Sequence, residues 1–127
     1  MILLDTHMVL ALLGQVDLVL PQQTANELRS TSNKYVSVAT IWELAIKYRL
    51  NKLKLEFPLN ELPRHLMRIQ TGLLDVSVAH TLADIGPEPI TKDPFDRLLL
   101  GVCATEAMKL LTIDRALIGH PLAWRET

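Results

Sequence analysis

The segment Asp93-Pro94-Phe95-Asp96-Arg97 holds the densest chemistry in this chain. Pro94 suits the first position of a helix and Asp93 the N-cap before it, so two carboxylates fall in one first turn. Leu98, Leu99, Val102, Cys103 and Ala107 then recur on one broad apolar face. Other acids stand in comparable places. Asp5 closes the strand-like run Ile2-Leu3-Leu4, Asp114 closes the run Lys109 to Ile113, and Glu43 follows Tyr35-Val36-Ser37-Val38 in a helical first turn. In an open parallel sheet the carboxyl ends of strands and the helix starts after them share one edge, so these acids would meet in space. Crowded carboxylates repel unless a cation neutralises them, and oxygen donors without Cys or paired His suit Mg²⁺ or Mn²⁺ better than zinc. The pattern points to a carboxylate-held metal site.

The elements that must position these acids follow in chain order. A helix over Thr6 to Leu13, with Met8, Val9, Leu12 and Leu13 inward, stops at Gly14. Pro21 opens a second helix toward Ser30, and Ser30 to Lys34 reads as a turn into the strand Tyr35 to Val38. Thr40-Ile41-Trp42-Glu43 matches a capping box, which by itself would account for Glu43. The helix it opens runs from Ile41 to Arg49, and Asn51 closes it in the left-handed conformation. Asn60 to Gln70 reads as a helix ended by Gly72, Leu73 to Val76 as a strand, and Ser77 as the cap of a short helix to about Ala83. The Pro87/Pro89 loop then leads back to Asp93. Alternating strands and helices predict the α/β class with a parallel sheet.

With 127 residues, 49% hydrophobic and 21% charged, the chain is expected to be a single domain, 1–127, with a core of its own. Cys103 is the only cysteine and lies in an apolar helical pattern, which excludes an internal disulfide and fits a reducing cytosol. No basic leader precedes the first strand and no uncharged apolar run approaches about 18 residues, so no membrane segment and a cytoplasmic location are expected. A formal charge of -1, from 13 basic and 14 acidic residues, argues against coating nucleic acid by bulk charge. Phosphate contacts then have to be local, and Lys47, Arg49, Lys52 and Arg97 are the candidates. A mean hydropathy of +0.20 leaves apolar surface for an interface, to which Leu10, Leu13 and Leu59 are candidate contributors.

Four blocks together resemble the PIN-domain family, and more narrowly the VapC-type toxins of type II toxin–antitoxin pairs. They are Leu3-Leu4-Asp5-Thr6-His7, Ser37 to Lys47 with its Trp42-Glu43-Leu44 centre, Asp93 to Leu99, and Leu110-Leu111-Thr112-Ile113-Asp114. The resemblance spans almost the whole chain in the right order. It implies a three-layer α/β/α sandwich with a central parallel sheet and an Mg²⁺- or Mn²⁺-dependent endoribonuclease that forms a homodimer restrained by a cognate antitoxin protein. The family's catalytic, metal-holding acids fall on Asp5, Glu43, Asp96 and Asp114. Two departures stand out: Thr91-Lys92 occupies the place of a frequent His-Arg pair, and Asn51 replaces a usual Gly.

The residues support that chemistry on their own terms. Phosphodiester hydrolysis needs an activated water and a stabilised leaving oxygen, which carboxylate-held divalent ions supply. Thr6 and Thr112 are placed either to hold ligand carboxylates or as a local cap and a strand-end hydroxyl. Asp93 has its own task as N-cap, whereas Asp96 is shorter than the Glu or Gln of a capping box and is freer to face a metal. Asp96 is therefore the expected ligand of the pair. His7, His65, His80 and His120 lack metal-ligand spacing, no nucleophilic triad is present, and no Gly-rich loop offers a phosphate cradle. A haloacid-dehalogenase-type phosphatase would need a second Asp where this chain has His7. Two other readings stay open: a PIN nuclease of RNA maturation or DNA processing, and a non-catalytic PIN interaction module.

Overall fold

The computed structural model describes residues 1–30 and 33–126. The turn expected at Ser30 to Lys34 falls partly on Thr31 and Ser32, which lie outside the described residues. The strands are β1 (Ile2–Leu4), β2 (Lys34–Ser37), β3 (Gly72–Leu74) and β4 (Lys109–Leu111). They form one all-parallel sheet in the order β3-β2-β1-β4. The helices are α1 (Thr6–Leu12), α2 (Gln22–Ser30), α3 (Val38–Arg49), α4 (Leu62–Arg68), α5 (Val78–Leu82) and α6 (Pro94–Glu106).

Strand residues alternate between two cores, which makes the sheet the middle of three layers. Ile2, Leu4, Val36 and Leu111 pack on one face with Met8 and Val9 of α1, Leu28 of α2, Leu44 of α3 and Leu62 and Leu66 of α4. Leu3 and Leu110 pack on the other with Leu99, Leu100, Val102 and Cys103 of α6. Burial on both faces is why β1 reads Ile-Leu-Leu without polar alternation. The α/β/α sandwich with a central parallel sheet is the architecture observed. Beyond β4, Leu122 and Trp124 bond to Leu110 through the backbone and cover that edge.

Several element boundaries differ from the sequence expectation, each for a local reason. α3 begins at Val38, because Ser37 caps it by accepting the Ala39 N–H at 3.0 Å. Thr40 therefore lies inside the helix, its hydroxyl buried without a hydrogen-bond partner, and the Thr40/Glu43 capping box does not form. The expected helix over 60–70 is a 3-10 turn, Leu59–Glu61, followed by α4. Gln70 takes the left-handed conformation, with φ 58, after the end of α4, so Gly72 is not the residue that stops this helix. Gly72 instead starts β3, where a Cβ would stand 2.7 Å from the Tyr35 ring. In α1 the buried apolar side chains are Met8, Val9 and Leu10, while Leu12 and the C-cap Leu13 are part-buried. Leu10 is thus core and not interface surface; Leu59 is part-buried. Ala107 caps α6 in the left-handed conformation instead of extending its apolar face. Asn51 (φ 58) takes the left-handed position assigned to it, and Gly14, expected as the stop of the first helix, is left-handed as well (φ 70).

Candidate active site

With β1 flanked by β2 on one side and β4 on the other, the chain direction across the sheet reverses between β1 and β4. A parallel sheet opens a crevice at the carboxyl ends of such strands. A cleft of about 100 Å³ lies there, lined by Asp5, Thr6, His7, Glu43, Lys47, Asp93, Asp96 and Asp114. All five acids singled out from the sequence share it, although they come from four separate segments of chain.

Each is placed by a different local device. Asp5 follows β1 and is also the N-cap of α1, with Oδ1 accepting the Met8 N–H at 3.0 Å. It is 5% exposed, and this burial raises its pKa above 3.8 against the opposing hydrogen bond from Thr112. Asp93 caps α6 as expected, Oδ1 accepting the Phe95 N–H at 2.8 Å. Asp96, one turn into α6, accepts the Thr91 hydroxyl at 3.1 Å. Its pKa is pushed up to about 6, first by desolvation and then by the charge of Asp93, with Asp114 and Glu43 adding to it. Asp114 is exposed beyond β4; its N–H bonds Thr112 Oγ1 at 3.0 Å and its Oδ1 accepts the Ala116 N–H at 2.9 Å. Glu43 has both oxygens engaged, Oε1 by the Thr6 hydroxyl at 2.6 Å and Oε2 by Lys47 Nζ at 2.9 Å.

Thr6 and Thr112 thus both contact acids of the cleft, beyond any purely local role. Of the expected phosphate contacts, Lys47 alone lines the cleft. Arg49 and Lys52 are exposed at and beyond the end of α3. Arg97 turns away, its Nη2 donating to the Ala83 carbonyl at 3.2 Å and to Glu88 at 3.3 Å, so it braces the loop before α6. His7 lines the cleft although its spacing gave no sign of it; its adjacency to Asp5 was the available signal. His80 is fully inside, completing a capping box with Ser77 and pairing with Glu106 at 3.1 Å.

The donor set fits a hard divalent cation. It is all oxygen apart from His7 and Lys47, and burial together with mutual repulsion leaves Asp5 and Asp96 harder to ionise than free carboxylates. Among the described residues, no three His, Cys, Asp or Glu side chains converge as a ready ligand cage. Glu43, Asp93 and Asp114 are each engaged with protein donors. Beside the cleft, Trp42, Ile46, Pro94, Phe95 and Leu98 line an apolar groove of about 320 Å³ between α3 and α6. Trp42 there meets Phe95 edge to face, with ring centroids 5.6 Å apart. No helix among the described residues is long and apolar enough to cross a membrane.

Comparison with curated proteins finds no match to this chain. The PIN domain family model matches residues 2–119, a span that contains all four strands and every acid of the cleft. Such domains are in general metal-dependent nucleases, and the chain belongs to the PIN-domain family.

Proposed function

We propose that this protein is an Mg²⁺- or Mn²⁺-dependent endoribonuclease of the VapC toxin type, cutting single-stranded or loop RNA. The observation that carries the reading is the meeting of five carboxylates from four chain segments in one cleft at the sheet's switch point. Asp5, Asp96 and Asp114 would hold the cation, with Glu43 adding charge to the same cleft. A bound divalent ion supplies an activated water and stabilises the leaving oxygen. Asp5, fixed from both sides by Met8 and Thr112, gives the site its rigid floor. Asp114 after β4 is the one exposed acid of the five, while Asp96 at the start of α6 is half-buried, as Glu43 and Asp93 are. The near-zero net charge favours local recognition of an unpaired strand over broad duplex binding. The toxin assignment rests on the four sequence blocks, and it carries with it a cognate antitoxin protein and a homodimer. Exposed apolar side chains such as Trp42, Met67 and Leu82 support protein partners.

Purified protein should cleave RNA with Mn²⁺, lose that activity in EDTA, and lose it again in Asp5→Asn, since Asn still caps α1 while removing a charge. Equal cleavage in EDTA would sink the metal-nuclease reading. Light scattering should give twice the chain mass at micromolar concentration; a monomer with no partner recovered from its native operon would remove the toxin reading and leave the nuclease.

A further inference from the structure

A second concavity, of about 290 Å³, adjoins the acid cleft through the segment Thr112-Ile113-Asp114: Thr112 and Ile113 line it, and Asp114 lines the cleft. Thr112 is tied to the cleft, its hydroxyl bonding the Asp5 carboxylate and accepting the Asp114 N–H at 3.0 Å. The two hollows therefore share one wall, and a strand with a phosphate on the acids has its neighbouring nucleotide at the larger one. The lining of this groove combines apolar surface with polar groups that have no partner. Pro21, Ile113 and Ile118 supply apolar walls, and Ile118 is 46% exposed. Trp124 joins them, and because it borders two further hollows its ring is open to a ligand. Thr24 of α2 is 8% exposed, yet its hydroxyl makes no hydrogen bond among the described residues, and neither does the Trp124 indole N–H. Buried polar groups are nearly always bonded, so the Thr24 hydroxyl is left for something that enters. Arg125 also lines the groove, held by its Nη2, which donates to the Gly119 carbonyl at 2.9 Å and to the His120 carbonyl at 3.3 Å. A guanidinium has five N–H donors, so those on Nε and Nη1 remain for an anion.

We propose that this groove is a nucleobase subsite: the base of the nucleotide next to the cleaved phosphate stacks on Trp124, its polar edge bonds the Thr24 hydroxyl, and Arg125 binds the phosphate beyond it. The proposal rests on the nuclease reading for its ligand and deepens it by assigning where the strand's sequence is sensed. Contacts to phosphate carry no information on base identity, so selection has to come from a neighbouring surface that offers a ring and polar groups. An apolar side chain seated here would leave Thr24 and Arg125 unpaired, whereas a nucleotide engages both.

The test uses the full chain and a fluorescein-labelled single-stranded RNA, with binding read by anisotropy in EDTA so that nothing is cut. One base at a time is removed from the probe as an abasic site. One position should weaken wild-type binding by about tenfold, the effect of losing a base stacked on an aromatic ring. Trp124→Leu should bind the intact probe about tenfold more weakly and no longer respond to that abasic position, a coupling that general destabilisation does not produce. Thr24→Val should reduce discrimination among the four bases at that position, and Arg125→Met should lower the salt slope by about one. The Mn²⁺ Kd, from calorimetry, should stay within about threefold in all three variants, and melting temperatures report whether each is folded. In a Trp42→Phe background Trp124 is the remaining tryptophan, and the RNA should quench its emission. The wild-type scan and this emission need no change in the groove, so they decide even where a variant fails to fold. A flat abasic scan in wild type, or a folded Trp124→Leu with wild-type affinity, overturns the proposal. Trp124 emission that answers to the operon's partner protein and not to RNA also overturns it, and assigns the groove to a protein. Mn²⁺-dependent cleavage beside a flat scan would remove the subsite and leave the nuclease, whereas the expected binding without any cleavage would remove the nuclease and leave the subsite.

Discussion

Asp93 and Asp96 share a helical turn and a cleft, yet the structure divides their work. Asp93 accepts a backbone N–H of α6, so Asp93→Ala should cost about 0.5–2 kcal/mol of stability, measurable as a lower melting temperature. Asp96 makes no such bond, and Asp96→Asn should nearly abolish Mn²⁺-dependent cleavage without lowering the melting temperature. The opposite ranking would transfer the ligand role to Asp93. The raised pKa of Asp96 also fixes a direction for pH. An acid that folding makes harder to ionise binds more protons folded than unfolded, so its contribution to stability falls as pH rises from the unfolded value of 3.8 through about 6. Thermal melts in EDTA should therefore show wild type losing stability relative to Asp96→Asn between pH 4 and pH 7. Equal pH profiles would mean that burial and the neighbouring acids do not raise the pKa of Asp96.

At the scale of elements, the short helix α5 matters to the site because α6 packs directly against it. Gly101 of α6 lies so close to α5 that a Cβ there would run into the His80 carbonyl oxygen. His80 is held by Ser77 and Glu106, and its backbone has little room to retreat. Gly101→Ala gains up to about 1 kcal/mol in helix propensity. Overpacking against fixed backbone costs about 1–3 kcal/mol, and the clash should win. Chemical denaturation should show Gly101→Ala to be the less stable protein, with Asp96 displaced and cleavage reduced; a stabilised variant would show that α5 yields easily. Phe95 and Leu98 of the same helix border the apolar groove, so α6 carries cleft acids and apolar surface side by side.

For the whole molecule, the consequence of gathering acids at one sheet edge is linkage between metal and folding. A cation that binds the folded cleft and not the unfolded chain stabilises by RT ln(1 + [L]/Kd), about 2.7 kcal/mol at a hundredfold excess over Kd. Because the binding forms are the ionised acids, the gain should be larger at pH 7.5 than at pH 5, below the value of about 6 reached by Asp96. Differential scanning calorimetry with and without Mn²⁺ at the two pH values measures it. A shift that is equal at both, or absent in wild type, would remove the cleft as the metal site.

Much of this was determined by the sequence alone. Asp93 and Pro94 announce a helix start because capping and the fixed φ of proline are local, and buried parallel strands read as unbroken apolar runs because both faces are covered. The order of strands and helices then sufficed to bring Asp5, Glu43, Asp93, Asp96 and Asp114 to one edge. Other features needed the folded chain. Ser37 and Thr40 are both good caps, and only the packing of β2 into the sheet decides that α3 starts at the first and buries the second. The i,i+4 spacing of Glu43 and Lys47 already offered their ion pair, but the capping box does not form, and the other partner of Glu43 is Thr6, thirty-seven positions away in another helix. Arg97 belongs to the acid block in sequence and to the loop at Ala83 and Glu88 in space. Local rules set which residues begin and end elements, since the energies involved act within a turn. Which side chain faces the cleft and which oxygen is left free for a ligand depend on contacts between elements, and tertiary packing alone supplies those.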